Sequence, residues 1–119
     1  HEVCFDPSMA HNLMERLAGE GFTVVKVYNS WKLMTPACRE LERRVLDRTI
    51  HHEGHPITRF CIDSCAVKTD RNENIVPVKP ERNKASKRID GVAAMLSALA
   101  RVAVLNAPRP SVYQERGLL

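Results

Sequence analysis

The sequence predicts an α/β fold, a sheet flanked by helices, and three observations lead there. Residues 2–5 (EVCF) and 23–28 (TVVKVY) are short, largely apolar runs with a helical stretch between them, the strand–helix–strand order of a parallel pair. From Lys87 to Val104 apolar residues recur at helical spacing, with small residues that allow close packing on a sheet. The hydrophobic fraction is 44%, ordinary for a globular chain of 119 residues. No apolar run reaches the length of roughly 18 residues that an α-helical membrane span requires.

Taken in order, residues 2–5 end a strand that Asp6-Pro7-Ser8 breaks, and Pro7 or Ser8 can start a helix. Leu13, Met14 and Leu17 form its apolar stripe, with Glu15 and Arg16 outside, and Gly19 and Gly21 end it. The strand at 23–28 follows, then a connection containing Trp31 and Leu33. Thr35-Pro36 reads as a capping hydroxyl and a first-turn proline, opening a helix that runs to about Thr49 on the stripe Leu41, Val45 and Leu46. Residues 50–56 (IHHEGHP) form a loop with three histidines, whose spacing assigns them no role. Ile57, Phe60, Cys61 and Cys65 fit a helix better than alternation. Residues 67–70 and 75–78, around the polar turn 71–74, read as a hairpin. Ser86 then caps a long helix from about Lys87, with Ile89, Val92, Ala93, Leu96, Leu99, Ala100 and Ala103 as its apolar positions. Residues 106–119 lack periodicity and read as an extended tail.

The four cysteines (4, 38, 61 and 65) have irregular spacing and no CxxC pair. Apolar neighbours such as Phe60, Ile62 and Ala66 favour buried thiols over a metal site or a disulfide, and a reducing compartment. The chain opens at His1 and runs straight into apolar core, which reads as a start inside a longer protein. The net charge of +4 is concentrated usefully at Lys79, Arg82, Lys84, Lys87 and Arg88, diluted by Glu81.

Two aspartates stand out. Asp6 directly follows a buried strand, and functional sites in α/β folds gather at the carboxyl ends of strands. Asp90 lies in the first turn of the last helix, between Ile89 and Val92. If that helix packs beside the first strand, the two carboxylates meet, and two anions side by side need a cation between them. Hard oxygen ligands suit Mg²⁺ or Mn²⁺. Each aspartate also has a structural reading, Asp6 as a helix cap and Asp90 as a complement to the helix dipole. The basic segment just ahead of Asp90 is suited to a phosphate backbone, or is a solvated loop.

In order along the chain, FDP at Phe5–Pro7, the GFTVVKVY strand, TPACRELERRVLDRTIHHEGHPITRF from Thr35 to Phe60, VKTDRNENIVPVKPE and KRIDGVAAMLSALARV together resemble the nuclease region of a tailed-phage terminase large subunit. The resemblance covers residues 2 to 104. It implies an RNase H-like (RuvC-like) fold, a central mixed sheet flanked by helices and incomplete at the N-terminus, over residues 1–105. It implies a divalent-metal-dependent endonuclease that hydrolyses double-stranded DNA during genome packaging in the bacterial cytoplasm, with the terminase small subunit and portal protein as partners. Asp6 and Asp90 match two of the family's metal-holding acids, and a first acid has no counterpart here. The family's ATPase half is not represented, since no GxxxxGK[ST] occurs. On this reading the fragment alone has weak or no activity. A rival reading is a non-catalytic module that binds DNA or the packaging complex, and an exposed sheet edge offers a route to self-association. Phe60 and Ser64 stand where the family commonly has Trp and Asn.

Overall fold

The computed structural model describes residues 1–8, 10–82 and 84–106, the side chain of Lys84 excepted. Of the expected tail at 106–119, Asn106 is instead the last residue of the final helix, and residues 107–119 lie outside the described residues. The elements follow the order β1 (Glu2–Phe5), α1 (His11–Gly19), β2 (Thr23–Lys26), α2 (Trp31–Leu46), α3 (Pro56–Asp63), β3 (Ala66–Thr69), β4 (Ile75–Val78), a 3₁₀ turn (Lys84–Ser86) and α4 (Asp90–Asn106). The sheet is of mixed character, as expected, but its strands are divided between two pairs. β1 and β2 are parallel, with Glu2 opposite Thr23 and Phe5 opposite Lys26. β3 and β4 are antiparallel, with Ala66 opposite Val78 and Thr69 opposite Ile75. Among the described residues no helix is long and apolar enough to cross a membrane.

The crossover between β1 and β2 is closed by local chemistry. Asp6 accepts the Ser8 N–H at 2.9 Å and so makes a turn of residues 6–8, which delays α1 to His11 rather than Pro7 or Ser8. α1 ends in a Schellman arrangement: the N–H of Phe22 reaches the Leu17 carbonyl and that of Gly21 the Ala18 carbonyl. Gly21 takes φ of 92°, a conformation that glycine alone adopts without cost.

α2 departs from the expected start. It begins at Trp31, four residues before Thr35, and carries Pro36 inside it. Proline there removes the hydrogen bond to the Lys32 carbonyl, a local cost that sequence reasoning reads as a helix boundary. Burial offsets that cost. The added first turn places Met34 in the core at 3% exposed and Leu33 against it. Thr35 is not a cap at all. Its hydroxyl donates to the Ile75 carbonyl at 3.1 Å and accepts the Ile75 N–H at 2.9 Å, which fastens β4 to α2.

α3 starts as its sequence suggests, with Pro56 in the first turn and His55 at the cap, where Nδ1 accepts the Ile57 N–H at 3.2 Å. α4 starts at Asp90, not near Lys87, because Ser86 closes the preceding 3₁₀ turn; the first helical bond there runs from Ala93 N–H to the Ile89 carbonyl. Val92, Leu96 and Ala100 face inward from α4 and join Val27, Met34, Ala37 and Cys61 in the core. All four cysteines are free thiols; Cys61 is buried and the others half-buried. Burial pushes the thiols of Cys4, Cys38 and Cys65 upward. The apolar neighbours Phe60 and Ile62 are themselves 46% and 49% exposed, because α3 turns its Cys61 face, not theirs, toward α4.

Candidate metal and phosphate site

The direction of α4 decides where the two aspartates lie. At the start of β1, Glu2 accepts from the Arg101 guanidinium twice, at 2.6 and 2.8 Å. Eleven helical residues, about 16 Å, separate Arg101 from Asp90. Four extended residues, about 13 Å, separate Glu2 from Asp6. With Glu2 and Arg101 joined and α4 packed on β1, Asp6 and the first turn of α4 fall at the same end of the molecule. A cavity of about 80 Å³ confirms the alignment, since Asp6, Asn29, Met34, Pro77, Ile89 and Ala93 are among the residues that line it. Asp90 opens the helix next to Ile89 and is exposed.

Asp6 is prepared as an oxygen donor. The Ser8 hydroxyl and N–H donate to its carboxylate, as does the Asn29 N–H at the exit of β2, and together they hold its carboxyl below the usual range. It is exposed and ionised at neutral pH. The carboxylate thereby links the end of β1 to the exit of β2. Asn29 has no signal in the sequence that marks it for this role, because the contact uses its backbone.

A divalent cation fits this donor chemistry only in part. Two carboxylates supply hard oxygen, but among the described residues there is no group of three or more His, Cys, Asp or Glu side chains that would hold a metal ion. The cations of the basic segment are dispersed. Lys79 and Lys87 are half-buried, and Arg82 and Arg88 are exposed. Nη1 of Arg88 donates to the carbonyls of Ala85 and Lys87, both at 2.9 Å, and so shapes the turn before α4. The side chain of Lys84 lies outside the described residues. In the histidine loop, His52 accepts the Gly54 N–H at 3.0 Å and His55 caps α3. Both are turn-forming residues. Trp31 is half-buried at the start of α2.

In this small α/β domain Asp6 lies at the carboxyl end of a parallel strand pair, where sites of open α/β sheets gather. The family model described as terminase large subunit, endonuclease domain, matches residues 1–105, and the chain belongs to that family. It is 33% identical over 100 residues to Protein YmfN of Escherichia coli (strain K12), a match that covers 84% of this chain and 22% of that protein. Its fold is similar to the crystal structure of the HK97 bacteriophage large terminase, with a TM-score of 0.67 and 26% identity over 84% of this chain and 21% of that one. The architecture is accordingly that of the RNase H-like terminase nuclease. The chain spans about a fifth of the length of these relatives.

Proposed function

We propose that this chain is the later part of a divalent-metal-dependent endonuclease domain, residues 1–105, that hydrolyses phosphodiesters of double-stranded DNA during phage genome packaging. One observation carries the reading: an ionised Asp6 faces a cavity shared with the first turns of α4, the helix that Asp90 opens. Asp6 and Asp90 are the ligands in this reading, and Mg²⁺ or Mn²⁺ the cation. Such a cation supplies a polarised water and neutralises phosphate charge when bound.

The chain's own groups have separate tasks. Ser8 and Asn29 keep the Asp6 carboxylate deprotonated and aimed. The amino end of α4 lends partial positive charge where Asp90 and a phosphate would approach. Lys79, Arg82, Lys84, Lys87 and Arg88 hold the DNA backbone, which predicts little base preference from them. Family membership further supports the terminase small subunit and portal protein as partners and the bacterial cytoplasm as the setting. The β1 edge opposite β2 pairs with no strand among the described residues, which favours self-association as a side property.

The test is nicking of supercoiled plasmid in Mn²⁺ by this chain joined to the upstream portion of a family member. Metal-dependent nicking is expected from the joined protein, little or none from the chain alone, and a loss of roughly a hundredfold on Asp90→Ala. Unchanged cleavage in Asp90→Ala overturns the assignment. DNA binding that persists with no Mn²⁺ uptake by either acid identifies a non-catalytic binding module instead.

A further inference from the structure

We propose that the open groove between α2, α3 and α4 docks an amphipathic helix of a protein partner, which lays its apolar face in the groove and a carboxylate on Arg48. The groove encloses about 690 Å³. Leu41 and Val45 of α2, Ile62 of α3 and Met95 of α4 line it, with Arg48 and Ile50 where the chain leaves α2. Leu41, Val45 and Arg48 recur at i, i+4 and i+7, so this wall is about 10 Å long, two helical turns. A docked helix presents its anchors over the same span. None of the lining residues belongs to a strand, so an extended peptide finds no ladder to join. Leu46 and Ile57, on the same two helices as Val45 and Ile62, are 75% and 66% exposed. Apolar surface therefore continues beyond the cavity, which suits a protein partner better than a small ligand.

Charge selects the partner. Among the described residues that line the groove, Arg48 is cationic and none is Asp or Glu. The carboxylate beside it in the chain, Asp47, is taken by Nη1 of Arg43 at 2.7 Å, and Arg48 has no ion-pair partner among the described residues. Arg48 also holds a backbone conformation that suits glycine. α2 ends in the same arrangement as α1: the N–H of Thr49 reaches the Arg44 carbonyl at 2.9 Å, and that of Arg48 the Val45 carbonyl at 3.2 Å. In α1 Gly21 fills the left-handed position, whereas in α2 Arg48 fills it with φ of 55°. A residue with a Cβ is strained there relative to glycine. The described fold gives the Arg48 side chain no bond that offsets this strain. Its guanidinium stands exposed at the edge of an apolar groove, where a partner's carboxylate can accept two hydrogen bonds from it.

The experiment is fluorescence anisotropy of two labelled, alanine-based helical peptides titrated with the full chain, with thermal melting in parallel. Both peptides carry Leu at i and i+4; one has Glu at i+7 and the other Lys. The Glu peptide is expected to bind roughly tenfold more tightly, the scale of a charge-assisted hydrogen bond. In Arg48→Gly that preference should shrink to within about twofold, while Tm rises by roughly 4 °C as the left-handed strain is relieved. An arginine that merely serves the end of α2 would give a lower Tm on its removal and an unchanged preference. Ile62→Glu should weaken both peptides roughly tenfold with little change in Tm, because Ile62 is half exposed. No binding of the Glu peptide, equal affinity for the two peptides, or a preference that survives Arg48→Gly overturns the proposal. So does sedimentation of the chain as a dimer that Ile62→Glu dissolves, which would make a second copy the occupant. Tighter peptide binding after deletion of residues 107–119 overturns it as well, because the groove would then belong to the chain's own end.

Discussion

β1 and β2 are separated in sequence by a whole helix and lie parallel, whereas β3 and β4 are joined by the turn at residues 70–74 and lie antiparallel. The hairpin closes itself. Asp70 accepts the N–H groups of Asn72 and Asn74 on one oxygen and the Asn74 amide on the other, and its carboxyl is held low mainly by that Asn74 amide. The parallel pair closes not within one turn but across the whole of α1. Its outer face is covered by α4, and its first residue is tied to Arg101, nearly the whole described chain away. Asp6 sits at the end of the pair that depends on distant contacts. The proposed chemistry is therefore coupled to α4 packing, and the hairpin is a more independent unit fastened to α2 at Thr35.

The largest effect that tests this contrast is expected from Leu96→Ala. Leu96 is 1% exposed and lies in the middle of α4, so truncation should cost about 3 kcal/mol. Urea denaturation reads the loss, and the Mn²⁺ binding proposed for Asp6 and Asp90 should fail at the urea concentration where α4 unfolds. A cost below about 1 kcal/mol would mean that α4 does not hold the parallel pair in place.

A middle-sized effect is expected at the hairpin's fastening. Thr35→Val keeps the volume but removes both hydrogen bonds to Ile75, from a residue that is 6% exposed. The cost should be about 1–2 kcal/mol, chiefly from stranding the Ile75 N–H and carbonyl. Hydrogen exchange distinguishes the two regions. Amides of β4 should exchange faster through local opening, while those of the β1–β2 ladder should follow only the global stability. Equal acceleration in both pairs would show that they form one cooperative unit, and the contrast would be lost.

The same contrast explains what could be read without coordinates. Both strand pairs, α1, α3 and α4 are legible in the sequence because each has a local signature: apolar runs, Gly21 after α1, His55-Pro56 before α3, a polar turn between β3 and β4. The start of α2 was not, because Pro36 carries a strong local boundary signal that the burial of Met34 outweighs. The role of Thr35 was misjudged for a related reason: its partner is 40 residues away. Asp6 and Asp90 are singled out in the sequence by their places at element ends. Their arrival at one end of the molecule depends on the direction of α4, which the Glu2–Arg101 pair reports and no local pattern does.

The smallest expected effect comes from the outer surface of α2, which belongs to neither strand pair. Glu40 accepts from Arg43 at 2.9 Å and from Arg44 at 2.7 Å, and these guanidinium hydrogen bonds bring its carboxyl down to about 2 from an ordinary 4.5. A folded-state value below the unfolded one stabilises the fold at high pH. The contribution is complete above about 4.5, is lost as pH falls toward about 2, and is absent below that. Its size is small, because the pairs lie on a solvated helix face where water and salt screen them. Comparing the Tm of the parent with that of Glu40→Gln should therefore show a small gap, constant from neutral pH down to about 4.5 and closing toward about 2. Added salt should shrink it. A gap that widened on acidification would mean that Glu40 repels its surroundings instead of pairing with them. Neither outcome should alter Mn²⁺ affinity, since Glu40 lies on a face of α2 away from the cavity that Asp6 lines.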